Sequence, residues 1–218
     1  MAKLKSGTRV YGNLLVDGVV DLTASALATA VSGEVQFDGT AFYGSPAAST
    51  RGVIPTEHLI VLSSANTLTS QTGVQPLFDG GGGPAGGALT LPVGTYKFEC
   101  FYALTSMSTG TNGSFGFALG GTATKTEGWY ASATKSAFTA NTLQGSWNVG
   151  ANTALTSPGN TTSTGYAFIK GHFRITVTGT IVPQVSLGVA AAAVVATNSY
   201  FTCNPVGSSS VVSVGNWA

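Results

Sequence analysis

The sequence predicts an all-β protein, a sandwich or barrel built from many short strands. Apolar and polar residues alternate with a period of two along the chain, and the 3.6-residue period of helices is almost absent. Clusters of Gly, Ser, Thr and Asn separate the alternating stretches, and the 218 residues include 30 glycines. That is the turn chemistry of closely spaced strands. Charge is scarce, at 8% of residues against about 25% in an average soluble domain. From Ile175 to Ala218 the only ionisable side chains are Tyr200 and Cys203. A surface without solvating charge is either hidden against partners or coated in small polar residues. An assembled, structural protein is the expectation.

The first 55 residues form a region of their own. Val16-Asp17-Gly18-Val19 and Phe37-Asp38-Gly39-Thr40 are Asp-Gly turns between apolar residues, the strongest short-range hairpin signal. Val35, Phe37, Ala41 and Tyr43 flank the second. The Ala-rich stretch Asp21 to Ser32 predicts a short helix. Gly44 to Pro55, with its Gly, Pro, Ser and Ala residues, reads as a linker. Such a segment is too small for an independent core, so it is expected to pack on a partner or on other copies of itself.

The strands follow from Thr56 onward. In Thr95–Thr105, Tyr96, Phe98, Cys100, Tyr102 and Leu104 share one face, with Lys97 and Glu99 on the other, and Pro92-Val-Gly94 marks the turn before it. In Tyr166–Val177, Ile169, Phe173, Ile175 and Val177 point inward, while Lys170, His172, Arg174 and Thr176 point outward. Ile181, Val185 and Leu187 continue the pattern after Gly179, with Pro183 arguing against a central position. Shorter candidates are Leu59–Ser63, Leu89–Leu91, Ser114–Leu119, Gly128–Ala133, Ser146–Val149, Ser199–Cys203 and Val211–Trp217. The Ala190–Val195 run is read as a strand or loop at a subunit contact.

Several function classes are disfavoured. A net charge of +1 does not fit a general nucleic-acid binder. The most apolar run, Leu187 to Ala196, is about half of the ~20 residues a spanning helix needs. The leader Met1-Ala-Lys-Leu-Lys-Ser lacks the apolar core of a secretory signal, so cytosolic synthesis and buried, unpaired Cys100 and Cys203 are expected. Two Cys and two His far apart have no zinc-site spacing, and no cofactor is expected. The Gly81 to Gly86 stretch matches G-x-G-x-x-G, but Pro84 sits inside it and a strand rather than a helix follows. Glu99 and Glu127 would make a glycosidase pair only if a cleft joined them. With no Ser-His-Asp or Cys-His constellation either, the sequence does not read as an enzyme. Lys170, His172 and Arg174 form a candidate glycan or anion patch, weighed against an ordinary solvated strand face. Trp129-Tyr130, Trp147 and Trp217 are read first as core or interface residues.

A resemblance enters at Gly94 to Ser108, Ser114 to Gly121 and Phe168 to Leu187. These stretches resemble the knob domains of tailed-phage virion proteins, whose jelly-roll is similar to the trimeric heads of tumour necrosis factor and C1q. Gly7 to Gly18 and Phe42 to Pro55 also look like phage structural proteins. The resemblance covers most of the chain. It implies a β-sandwich jelly-roll knob over residues 56–218, an attachment region over 1–55, and a homotrimer packed around a threefold axis. The leading expectation is a trimeric capsid decoration, or cement, protein on the outer capsid surface of the virion. It would bind across neighbouring major-capsid subunits, with host cell-surface glycan as a candidate second partner. The candidate shell contacts are Lys3, Lys5, Arg9 and Tyr11 in the leader and Phe37 and Tyr43 in the second hairpin. The alternative is the receptor-binding tip of a tail fibre or tailspike. Such a fibre normally carries a shaft of repeats or heptads, and this chain has neither. Neither reading calls for nucleic acid or membrane as a partner.

Overall fold

The computed structural model describes residues 19–69, 72–79, 85–107, 115–135, 144–149, 155–156, 163–190 and 193–207. Among these, the only helical element is a three-residue 3₁₀ turn, Ala85–Gly87. Three strands, β1 (Glu34–Phe37), β2 (Phe42–Ala47) and β3 (Thr50–Ile54), form a small antiparallel sheet. Thirteen more follow: β4 (His58–Val61), β5 (Asn66–Thr67), β6 (Gln75–Pro76), β7 (Leu89–Leu91), β8 (Gly94–Thr105), β9 (Phe115–Gly120), β10 (Thr124–Lys135), β11 (Gln144–Val149), β12 (Leu155–Thr156), β13 (Gly165–Val177), β14 (Gly179–Leu187), β15 (Val194–Val195) and β16 (Tyr200–Gly207).

Two sheets make the knob. The long one runs β11-β10-β13-β8, and beyond β8 come β16 with β4 along most of its length and β15 with β5 at its end. The shorter one runs β12-β9-β14, with β6 and β7 sharing the other edge of β14. The chain crosses between sheets from β8 to β9, from β9 to β10, and from β13 to β14 to β16. Neighbours such as β4 and β16 are distant in sequence. Antiparallel sheets with these crossovers are a jelly-roll β-sandwich.

Alternation decides which way each strand faces. Tyr96, Phe98, Cys100, Tyr102 and Leu104 of β8 are buried, as are Ile169, Phe173 and Ile175 of β13. Val177, expected inward, is 57% exposed, because a register shift after Ile175 pairs it with the exposed Thr124 at the end of the strand. The core is aromatic. Phe98 lies 5.8 Å from Phe173, 5.8 Å from Phe201 and 6.2 Å from Phe117 on the opposite sheet. Tyr102 is fully buried, and its hydroxyl donates to the Gly116 carbonyl at 3.0 Å, which satisfies a polar group that burial would otherwise penalise. Cys100 and Cys203 are buried free thiols, as expected. Burial pushes the Cys203 thiol up to about 12 and Cys100 well above its ordinary value.

Four further expectations are corrected. The stretch Asp21–Ser32 contains no helix. Its amides find partners elsewhere: Ser25 donates to the Phe37 carbonyl, Ala28 to Gln36 Oε1 and Val31 to Glu34 Oε2. The segment Gly44–Pro55 is not a linker but most of β2 and all of β3, with Pro46 at a β-bulge where its missing N–H breaks no ladder. The Ala190–Val195 run supplies β15, as a strand was expected there, but its Ala193 and Val195 are fully buried in the chain's own core and so are not available to a subunit contact. Pro183 does lie in a central strand. Its carbonyl accepts from Leu77, and the Leu77 carbonyl, which an N–H at position 183 would otherwise serve, accepts from Asn66 Nδ2 at 3.2 Å instead. Val211–Trp217 lies outside the described residues.

The hairpin at Asp38-Gly39 forms as expected. Gly39 takes a φ of +96°, and Asp38 Oδ1 accepts from the amides of Thr40 and Ala41, both at 2.8 Å. The turn also docks on the knob. Thr40 Oγ1 donates to the Val93 carbonyl at 2.6 Å, beside the first residue of β8.

Candidate functional site

Two surfaces are candidates, one on the small sheet and one on the knob. On the small sheet, register pairs Phe37 with Phe42 and Phe42 with Ile54, and pairs Val35 with Gly44 and Gly44 with Gly52. Residues directly opposite one another share a face. This face therefore carries Val35, Phe37, Phe42 and Ile54 around two glycines. The Phe37 and Phe42 rings stack at 4.6 Å, while Val35 is 52% exposed and Ile54 41%. The opposite face carries Gln36 and Arg51, and Arg51 donates to Gln36 Oε1 and to the Ala28 carbonyl. Of the candidate shell contacts, Phe37 thus lies on the apolar face. Tyr43 does not: its ring is buried and its hydroxyl donates to Asp38 Oδ2 at 2.9 Å, so it braces the hairpin. Lys3, Lys5, Arg9 and Tyr11 lie outside the described residues.

On the knob, the outward face of the long sheet is organised in rungs. One rung runs Leu59–Thr202–Glu99–Lys170–Ala131. The next runs Asn204–Lys97–His172–Trp129. A groove of about 430 Å³ crosses them, lined by Glu57, Lys97, Glu99, Lys170, Thr202 and Asn204 over the strand backbones at Phe98 and Gly171. Lys170 Nζ is 2.9 Å from Glu99 Oε2 and 4.9 Å from the Phe168 ring centre. Tyr200 donates to the other oxygen of Glu99, and Thr202 donates to Glu57 at 2.6 Å. The hydrogen bonds from Tyr200 and Lys170 hold the Glu99 carboxyl below its ordinary value. Burial, then the bond to Glu99, pushes the Tyr200 hydroxyl up to about 12.

The expected patch of Lys170, His172 and Arg174 does share one face of β13, but not as three equivalent cations. Lys170 is committed to Glu99, His172 is exposed beside Lys97 and Trp129, and Arg174 is half-buried opposite Thr95. Trp129 is 39% exposed and so is not a core residue, whereas Tyr130 is buried. The side chains of Glu127 and Trp147 lie outside the described residues, as does Trp217. The sequence reading missed Glu57, Tyr200, Thr202 and Asn204. The polar phase of β16 was a usable signal for the last three. Nothing local brings Glu57 to them, because β4 and β16 meet only through the sheet.

Below the groove the face turns apolar. Phe101 lies 6.0 Å from Tyr166 and 6.1 Å from Tyr200, and Leu59 and Val61 on the edge strand β4 are 58% and 49% exposed. Among the described residues no group of three or more His, Cys, Asp or Glu is placed to hold a metal ion, and no helix is long and apolar enough to cross a membrane. No protein-family model matches the chain, and no curated protein matches it either.

Proposed function

We propose that this chain is a homotrimeric capsid decoration protein of a tailed phage, which binds the outer shell through its N-terminal region and stabilises it. The distribution of exposed apolar side chains carries the reading. Among the described residues, eight of the eleven large exposed hydrophobics lie between Val19 and Val61. They are Val19, Val20, Leu22, Val31, Val35, Ile54, Leu59 and Val61; the other three are Val74, Trp129 and Val177. Six of the eight belong to the N-terminal region, and Leu59 and Val61 lie on the edge strand β4 of the long sheet; scattered apolar exposure is ordinary, but a contiguous apolar patch marks an interaction surface. The Val35–Phe37–Phe42–Ile54 face is the shell contact in this reading. The apolar band of Phe101, Tyr166, Tyr200, Leu59 and Val61 is the contact between copies.

The mechanism is mass action. A protein that binds the assembled shell and not its separated subunits stabilises the shell by about 2.7 kcal/mol per site at a hundredfold excess over its Kd. Trimerisation raises the effective affinity, since three attachment regions engage as one unit. The contact at Thr40 and Val93 seats the attachment sheet on the knob. No bond is made or broken, so the role requires no catalytic group.

The test is binding of the double variant Val35→Asp/Ile54→Asp to phage heads stripped of decoration, with sedimentation as a check on assembly. Shell binding should be lost while the trimer persists. A variant that binds heads as well as its parent overturns the assignment of this face. The polar groove favours a second reading, the receptor-binding tip of a tail fibre or tailspike. Immunogold labelling of virions separates the two: label spread over the shell supports decoration, and label confined to the tail supports a tip.

A further inference from the structure

The groove on the long sheet is not accounted for by shell attachment. It is polar, it lies on the knob rather than on the small sheet, and its volume of about 430 Å³ falls within the roughly 300–1,000 Å³ of small-ligand sites. We propose that it binds a saccharide carrying a single carboxylate. Where the knob is mounted makes no difference to this assignment.

Charge selects the ligand class. Glu57 and Glu99 balance Lys97 and Lys170 among the lining side chains, so the groove is formally neutral. A polyanion such as a sulfated chain would meet two carboxylates. A purely neutral sugar would leave the cations unused. The two lysines are not equivalent. Lys170 is held by Glu99, which is itself held by Tyr200, so this trio forms a fixed wall. The single ion pair among the described residues is Lys170 with Glu99, which leaves Lys97 as the cation available to a ligand. His172 sits directly beside Lys97 on the adjacent strand, and Asn204 sits on its other side. A carboxylate over Lys97 would therefore meet an ammonium flanked by an imidazole and an amide. That arrangement gives charge-assisted hydrogen bonds, which are roughly twice as strong as neutral ones.

The same rung supplies a surface for the sugar ring. Trp129 is in register with His172 and is 39% exposed. Three inter-strand steps of about 4.8 Å place it about 14 Å from Asn204, so one ligand can lie along the rung with its ring against the indole and its acid group over Lys97. Indole faces are suited to this, being broad, apolar and rigid. A bulge in β10 immediately before Trp129 shifts the register there, the kind of local kink that re-aims a side chain. Glu57 and Thr202, already paired with each other, offer oxygens to ring hydroxyls at the groove's far end.

The test is calorimetric titration of the intact protein with an oligosaccharide of glucuronic acid, beside the matching neutral glucose oligosaccharide. The acidic probe should bind with a Kd on the order of 0.1–1 mM, the range of a small polar contact, and the neutral one at least about tenfold more weakly. Lys97→Ala should weaken the acidic probe about tenfold without changing the melting temperature, since Lys97 is exposed. Trp129→Ala should weaken both probes. Equal binding of the two probes, acidic binding unchanged in Lys97→Ala, or no saturable binding of the acidic probe each overturns the proposal. If a second copy covers the groove instead, no probe binds and Lys97→Glu lowers the sedimentation coefficient. Because shell binding is read on heads and this site by titration, either assignment can fail without the other.

Discussion

Replacing Phe117 by Ala tests whether the two sheets of the knob are held together as described. Phe117 belongs to β9 in the shorter sheet and is fully buried. Its ring lies 5.9 Å from Tyr130, 6.2 Å from Phe98 and 6.4 Å from Tyr102, all on the long sheet. The substitution therefore empties space between the sheets instead of within one. A buried Phe→Ala change costs about 3–5 kcal/mol, combining lost transfer energy with the cavity left behind. Because the Phe117 ring packs on Tyr130, Phe98 and Tyr102 at once, this site belongs in the upper part of that range, about 4–5 kcal/mol. At about 2–4 °C per kcal/mol for a chain of this size, the melting temperature should fall by about 8–20 °C. The assay is guanidinium unfolding followed by fluorescence, with calorimetry beside it. Protein concentration is held fixed, because self-association makes the midpoint concentration-dependent. The midpoint should drop while the m-value stays constant. Val177→Ala, at a residue 57% exposed, should change stability by less than about 0.5 kcal/mol. A loss below about 1.5 kcal/mol for Phe117→Ala, with an unchanged m-value, would refute the packing of β9 against β8 and β10.

Two further outcomes follow from the same core. Cys203 holds its proton up to about pH 12 in the folded chain, against an ordinary thiol value of 9.0, and Cys100 is displaced in the same direction. The unfolded chain releases these protons first, so stability should be intact below about pH 9 and fall by up to about 1.4 kcal/mol per pH unit per thiol above it. Equilibrium unfolding at pH 8, 9.5 and 11 checks this, and a flat profile would contradict burial of both thiols. Gly121 has a φ of +101°, and a Cβ there would sit 2.1 Å from the Thr180 carbonyl oxygen. A compatible Gly→Ala change stabilises a protein by about 0.4–1 kcal/mol, but Gly121→Ala should instead destabilise by more than about 1 kcal/mol, because backbone strain and a backbone clash add. An unchanged melting temperature would mean that the β9–β10 turn is not built this way.

What the sequence determined by itself is whatever repeats over a few residues. Period-two alternation made β8 and β13 legible together with their buried faces, down to Phe173 and Ile175 at zero exposure. Asp38-Gly39 made its hairpin legible, because the turn requires φ > 0 and a side-chain acceptor at adjacent positions. Tertiary structure decided the rest. The Ala-rich segment 21–32 has helical propensity, but it lies beside β1, and strand and side-chain acceptors satisfy its amides instead. Gly44–Pro55 has the composition of a linker and becomes two strands because β1 offers a ladder to join. The groove is the furthest from legible. Lys97, Lys170 and Asn204 come from three strands and Glu57 from the residue before β4, and they meet only once the pairings β4–β16, β16–β8 and β8–β13 are chosen. A strand's own residues set which side it buries. Which strands become neighbours is set by how the whole chain buries its apolar faces and closes its loops, a condition that no short stretch of sequence contains.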